Sequence, residues 1–335
     1  MTEKRRKRIL IAERDHGLPY SKGLTASSLM VTGLGPVKSY AVANEVEQRL
    51  VALNQETVSE EQLAELTLEV LRSEAGEHYA QAFVKWQSVS ELDMPLILLL
   101  GGATGVGKST IATQLATRLG ITRVISTDAV REILRSALTS NMFPWLYASS
   151  FEADKAVRQP IPHSGDRLII GFREQAQSVA VGAQALIDRA IREGTDLILE
   201  GAHLVPGFLE GATSDEALIV PLLIMVEDEE LHRSHFYWRT RDAQRRPSDR
   251  YLNNFKKIRR LQQYMISSAL ARGVPAISHV DLDVSLSAII DHVIERAMEK
   301  VESGTHVADE GVLERAVEAI GQSKGEGSTK RETIS

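Results

Sequence analysis

The stretch GATGVGKS, from Gly102 to Ser109, has the spacing G-x-x-x-x-G-K-[ST]. Gly102, Gly105 and Gly107 let the backbone bend tightly and turn its N–H groups inward, where they cradle phosphate oxygens. Ala103, Thr104 and Val106 contribute backbone to the same cradle. Lys108 brings a positive charge to a phosphoryl group in transfer. Ser109 offers its hydroxyl to Mg²⁺, and Thr110 completes the nucleotide-binding set. The context is right as well, with the apolar run LILLL before the loop and an amphipathic helix after it. A carboxylate at the end of a neighbouring strand should hold the metal through water. DLILEGAHLVPG supplies Glu200, where Asp is the more usual residue; Glu still reaches a water in the magnesium shell. These residues call for ATP and Mg²⁺.

An acceptor for the phosphate needs its own residues, and VISTDAVREILR offers them. Asp128 stands where a strand gives way to a helix, the end of a parallel sheet that faces ligand. A carboxylate there orients or deprotonates an attacking hydroxyl; it could equally be a plain helix cap. Arg131 and Arg135 follow on the same helical face and present guanidinium forks to an anionic substrate, or simply a solvated face. His203, just after Glu200, lines the same pocket or is a structural histidine. His163 and Ser164 read as the cap of a later helix. The basic run RSHFYWRTRDAQRRPSDRYLNNFKKIRR fits a mobile lid whose arginines, Arg239, Arg241, Arg245 and Arg246, close over the phosphates. Its interleaved Tyr237, Trp238 and Tyr251 also suit a nucleic-acid patch.

Residues 94–303 alternate strand and helix, which means an α/β domain with a parallel sheet. Strands are expected at LILLL, TRVIS, DLILE, ALIVPLLIMV and PAISHV, with Pro221 requiring a bulge or a strand start. Helices are expected over 108–119, 128–138, 166–193 and 229–240, with a closing helix at VSLSAIIDHVIERAMEKV. Before this domain, residues 7–90 read as a small, mainly helical domain. It opens with a short strand, RILIA, and a turn at HGLP. Helices over 22–33, 36–53, 59–73 and 76–87 follow. Val42, Val46, Leu50 and Leu53 share one face of the second helix, and Ser59 with Gln62 forms a capping box. The linker QSVSELDMP separates the two domains. Residues 304–335 are polar and read as a poorly ordered tail.

The chain has 335 residues, enough for two cores. It has no cysteine, which removes disulfides, thiolate metal sites and cysteine nucleophiles and suits the cytoplasm. No apolar run approaches bilayer length, so no membrane partner is expected. A net charge of −6 gives no global footprint for nucleic acid. The expected partner is a small phosphorylated molecule, and a homo-oligomer is left open.

Residues 95–302 resemble the P-loop 2-phosphoglycerate kinases, on GGATGVGKST, STDAVREILR, IIGFREQ, EGAHLVPG and the arginine-rich run. Residues 8–88 resemble the ATP-cone that precedes the kinase in that family, on ILIAERDHGLPYSKGLTASSL. In the cone pattern Lys-Arg-Asp-Gly leads to a later lysine. Here Glu13-Arg14-Asp15-His16-Gly17 and Lys22 stand in those places, with the first lysine replaced and a histidine inserted. The resemblance implies a P-loop kinase domain with parallel sheet and helical lid behind an ATP-cone-like regulatory domain. It implies transfer from ATP to the hydroxyl of 2-phosphoglycerate and carries Arg14 and Lys22 over as regulatory phosphate contacts. The alternatives are a kinase for another phosphorylated or acidic metabolite, a nucleotide-sensing regulatory protein, or a polynucleotide 5′-kinase, which the net charge disfavours.

Overall fold

A computed structural model of the chain describes residues 10–13, 16–90, 92, 94–158, 160, 165–209, 215–242 and 248–302. The expected tail at 304–335, Arg14, His163, Ser164, Arg245 and Arg246 lie outside the described residues. The chain divides into two compact units. One is built on residues 1–93 with 118–120 and 297–335, the other on 94–117 and 121–296.

The first unit contains a small sheet as well as helices. Strand β1 (Leu10–Glu13) is central, pairing antiparallel with β2 (His16–Pro19) and parallel with β3 (Thr57–Ser59). The segment HGLP, expected as a turn, is thus strand β2. Pro19 is tolerated there because β2 is an edge strand, where a missing N–H breaks no interior ladder. Four helices follow: α1 (Lys22–Leu29), α2 (Pro36–Ala52), α3 (Glu60–Glu74) and α4 (Glu77–Ser90). The capping box forms at α3, with the Ser59 hydroxyl accepting from the Gln62 N–H and the Gln62 amide oxygen accepting from the Ser59 N–H. Val42, Val46 and Leu50 are buried with Leu29, Val70 and Leu71. Leu53, which periodicity places with them, lies past the end of α2 and is 49% exposed.

The second unit is a five-stranded, wholly parallel sheet. Its strands are β4 (Leu96–Gly101), β5 (Val124–Ser126), β6 (Leu197–Gly201), β7 (Leu218–Met225) and β8 (Ala276–Ser278), in the order β5-β6-β4-β7-β8. Every residue of β4 and β6 is buried, which explains the apolar runs LILLL of β4 and LIL of β6. Between strands run α5 (Lys108–Leu119), α6 (Thr127–Ala137), α7 (Arg167–Arg192), α8 (Glu229–Asp242), α9 (Ser248–Asn253) and α10 (Phe255–Leu270), and α11 (Leu282–Glu302) follows β8, its residues up to 296 belonging to this unit. Helix α7 lays Ala183, Ile187 and Ala190 on Ile97, Leu99, Leu197 and Leu199 of the sheet.

Pro221 needs neither a bulge nor a strand start. It sits inside β7, in unbroken register with Leu99 of β4. The Leu223 N–H donates to Pro275 O on the β8 side at 2.9 Å. Residues two apart point the same way, so the absent donor of Pro221 faces that side too, beyond the reach of β8, which pairs only with Leu223–Met225. The basic run is also less of a lid than its composition suggests. Its C-terminal part belongs to α10, which buries Phe255, Ile258, Leu261 and Met265. Arg259 is engaged with the carbonyls of Val226 and Glu227.

Candidate active site

The phosphate-binding loop joins the end of β4 to the start of α5, as its sequence requires. Gly105 has φ +90° and Gly107 φ +89°, values that favour glycine. Side chains there would also collide: a Cβ on Gly105 would come within 2.3 Å of the Phe236 ring, and one on Gly107 within 2.7 Å of His279. The Lys108 ammonium donates to Ala103 O within the loop at 2.8 Å. Ser109 Oγ donates to Glu200 Oε1 at 2.8 Å. Glu200, at the end of β6 next to β4, is therefore set beside the loop as its position in DLILE suggests.

Two histidines on α8 fix the loop from outside. His232 Nε2–H donates to Thr104 O at 2.9 Å and His235 Nδ1–H to Gly105 O at 2.8 Å. Burial pushes the His232 imidazole down to about 4, so it is neutral at pH 7. The signal for this pair was an H-x-x-H spacing on a predicted helix. Nothing in the sequence says that the helix packs on the loop.

The loop opens into a cavity of about 760 Å³, lined by Lys108, Ser109, Thr110 and Glu200 together with Asp128, Arg131, Ser149 and Arg250. Ser126 is the N-cap of α6, its Oγ accepting from the Ala129 N–H, so Asp128 is not the cap. The Asp128 side chain is 73% exposed, with one oxygen 3.5 Å from Arg131 Nε. Arg131 is 17% exposed and anchored by donation to Ala148 O (2.8 Å) and Leu146 O (3.2 Å). Arg135 does not reach the cavity lining; it pairs with Glu132 at 2.5 Å and stacks 4.8 Å from the Tyr147 ring centre.

His203 is 1% exposed and also absent from the lining. Its Nδ1 accepts from the Thr127 hydroxyl at 2.9 Å, and its Nε2–H donates to Gln175 Oε1 at 3.3 Å. Burial pushes it down to about 4, against an upward pull from Asp128. It supports the start of α6 from below. Arg239 and Arg241 fall on the last turn of α8, but their side chains lie outside the described residues.

Arg250 on α9 is a cavity residue within the basic run that composition alone does not distinguish from its neighbours. Its guanidinium donates to Ser149 Oγ at 2.8 Å and Glu152 Oε2 at 2.5 Å. Hydrogen bonds from Arg250 and then Lys155 hold the Glu152 carboxyl below its usual range. The arrangement therefore has a phosphate cradle with a lysine, a carboxylate open to solvent, and two guanidiniums from different elements. That combination suits phosphoryl transfer to a small anionic molecule.

The 2-phosphoglycerate kinase of Methanothermobacter thermautotrophicus is 36% identical over 287 residues, 85% of this chain and 94% of that protein. This chain belongs to the 2-phosphoglycerate kinase family. The likeness extends to the family's members from Pyrococcus furiosus (37% over 293 residues, 87% of this chain and 95% of that protein) and Methanocaldococcus jannaschii (33% over 309 residues, 92% and 98%). No family model matches the chain. Among solved structures it is similar to a shikimate kinase from Acinetobacter baumannii in complex with shikimate, at 15% identity and TM-score 0.35, covering 63% of this chain and 97% of that one. Membership in the kinase family makes the chain a P-loop phosphotransferase.

A kinase of this family implies a divalent metal. Among the described residues no cluster of three or more His, Cys, Asp or Glu is placed to hold one. A magnesium ion at phosphates needs fewer protein ligands, since water and phosphate oxygens complete its octahedron. The Ser109 hydroxyl and the Glu200 carboxylate, both in the cavity wall and 2.8 Å apart, are hard oxygen donors that fit that role.

Proposed function

We propose that the protein transfers the γ-phosphoryl group of ATP to the primary hydroxyl of 2-phosphoglycerate, giving 2,3-bisphosphoglycerate and ADP. The observation that carries this reading is the shared cavity, lined by the loop with Lys108, by Asp128 and by the two arginines. The acceptor has a phosphate and a carboxylate beside its hydroxyl. Arg131 and Arg250 answer those two anions, and family membership supplies the substrate.

Asp128 orients the hydroxyl and takes its proton as the oxygen attacks the γ-phosphorus. The new O–P bond forms while the bond to the β,γ-bridging oxygen breaks, and ADP leaves. Lys108, swinging from Ala103 O, meets the charge that gathers on the phosphoryl oxygens. Ser109 and, through water, Glu200 would hold Mg²⁺, which when bound neutralises charge on the phosphates. Arg239, Arg241, Arg245 and Arg246 are the lid residues in this reading and exclude water on closing. Arg135 and His203 act behind the site, through α6.

The test is incubation with γ-labelled ATP, Mg²⁺ and a panel of phosphorylated and carboxylated hydroxy compounds. Label should appear in 2,3-bisphosphoglycerate, and Lys108→Ala should lower kcat by about 10²-fold or more. Label passing to a different acceptor and not to 2-phosphoglycerate would replace the substrate and leave the chemistry.

The N-terminal unit is read as an ATP-cone-like regulatory module that adds nothing to the chemistry. Lys22 there already donates to Glu47 Oε2 at 2.9 Å and Asn44 Oδ1 at 3.2 Å. A nucleotide phosphate contacting Lys22 would have to displace Glu47, so regulation through this residue carries a built-in competitor.

A further inference from the structure

Two imidazoles form part of the cavity wall beside the phosphate-binding loop. His235 on α8 and His279 just past β8 both line it, with ring centres 5.8 Å apart. Their tautomers follow from their partners. His235 Nδ1 is 2.8 Å from Gly105 O, and since a carbonyl only accepts, the proton is on Nδ1. His279 Nδ1 is 2.8 Å from Ser285 Oγ, whose single proton is donated to Asp281 O at 2.6 Å. That hydroxyl can only accept from His279, so this ring also carries its proton on Nδ1. Burial lowers the His279 imidazole from its ordinary value, which keeps it neutral at pH 7. With the proton on Nδ1, the neutral form of each ring has its bare lone pair on Nε2. In His279 that atom lies beside the loop, 2.8 Å from where a Cβ on Gly107 would be. Thr110 and Leu282 line the cavity as well; its Lys, Arg, Asp and Glu residues stand on the loop, α6, β6 and α9.

A nucleoside triphosphate seated on the loop must put its base somewhere along this cavity. The charged side suits the anionic acceptor. We propose that the part of the cavity formed by His235 and His279 takes the base, and that the Nε2 lone pairs of the two rings accept from an exocyclic amino group. Adenine, with an amino group at position 6, is then accepted. Hypoxanthine and guanine carry a carbonyl oxygen there, which sets acceptor against acceptor and leaves a desolvated lone pair unpaired. The inference rests on the reading of the loop as a nucleotide site and is independent of which acceptor is phosphorylated.

The experiment is equilibrium binding of ATP and of ITP, which differ in the group at position 6 and in the proton that the oxo form carries on N1, to the full chain with Mg²⁺. Wild type should bind ATP about tenfold or more tighter than ITP, the scale of one lost hydrogen bond. His279→Leu should weaken ATP and bring the two within about threefold. His279→Gln, whose amide offers either an oxygen or an NH₂, should restore ATP binding and improve ITP binding. ITP binding to wild type as tightly as ATP overturns the inference, and needs no variant to show it. So does a folded His279→Leu protein that keeps the full preference. If wild type binds neither triphosphate, the nucleotide reading falls together with this one. Turnover failing with 2-phosphoglycerate, while ATP is still preferred over ITP in binding, overturns the substrate alone.

Discussion

Ser126 does the capping at the start of α6, and this leaves Asp128 with a place in the helix's first turn, a pull on His203 and a 3.5 Å pairing with Arg131. An exposed ion pair of that kind contributes at most about 1 kcal/mol. Asp128→Asn keeps the shape and removes the charge. It should leave the unfolding midpoint almost unchanged and lower kcat about 10²- to 10⁴-fold, the range of positioned base action. Steady-state kinetics beside a urea titration checks both halves; a stability loss with normal turnover would mean a structural residue. At this scale the loop from Gly102 to Ser109 and its partner Glu200 were legible, because their roles depend on local backbone and on the end of an adjacent strand. Arg250, His235 and His279 were not. Each is defined by what it touches across more than a hundred positions or across the sheet, as when Arg250 meets Ser149 or His235 meets Gly105.

The strands of the second unit were readable from their apolar runs, and α5 to α8 and α11 from their periodicity, while α9 and α10 were not expected as helices. What periodicity could not tell was which helix is load and which is lid: α10 reads as a basic surface segment until Phe255, Ile258 and Leu261 are seen packed inward. Packing of this kind also fixes a pH response. His203 and His232 are buried between elements, and burial holds each near 4 in the folded protein. In the unfolded chain histidine titrates near 6.5. As pH falls through that value the unfolded chain binds protons that the folded protein does not, so stability is flat above about pH 7 and falls between about pH 6.5 and pH 4. The limiting slope is about 1.4 kcal/mol per pH unit for each ring. Urea midpoints measured at pH 7, 6 and 5 should decline accordingly. His203→Asn, at a cost in stability at pH 7, should remove about half of that decline. Equal wild-type midpoints at pH 7 and pH 5 would mean that neither ring is held neutral.

For the molecule as a whole, the first unit has its own core of Leu29, Val42, Val46, Leu50, Val70 and Leu71, and every cavity residue named above lies in the second. A fragment beginning at residue 91 should therefore fold and retain turnover with ATP and 2-phosphoglycerate. Kinetics of fragment and full chain, with dATP and ADP added as effectors, tests this. A soluble, folded fragment with no activity at any substrate concentration would give the first unit a part in the chemistry. The small sheet of that unit was the least legible part of the fold, since β3 has three residues and β2 is spelled HGLP. The large sheet carries one further consequence, in Pro221. The sequence LIVPLLIM of β7 is apolar, β-prone and without charge, the kind of segment that recruits copies of itself when a chain is newly made. Its neighbour β8 is short and is the last synthesised of the described strands, so one side of β7 waits for its partner. The pyrrolidine ring stands on that waiting side, where an invading strand would find a donor missing from the ladder. A residue that looks like an interruption of the sheet thus acts as a guard against aggregation while the chain is still unfinished.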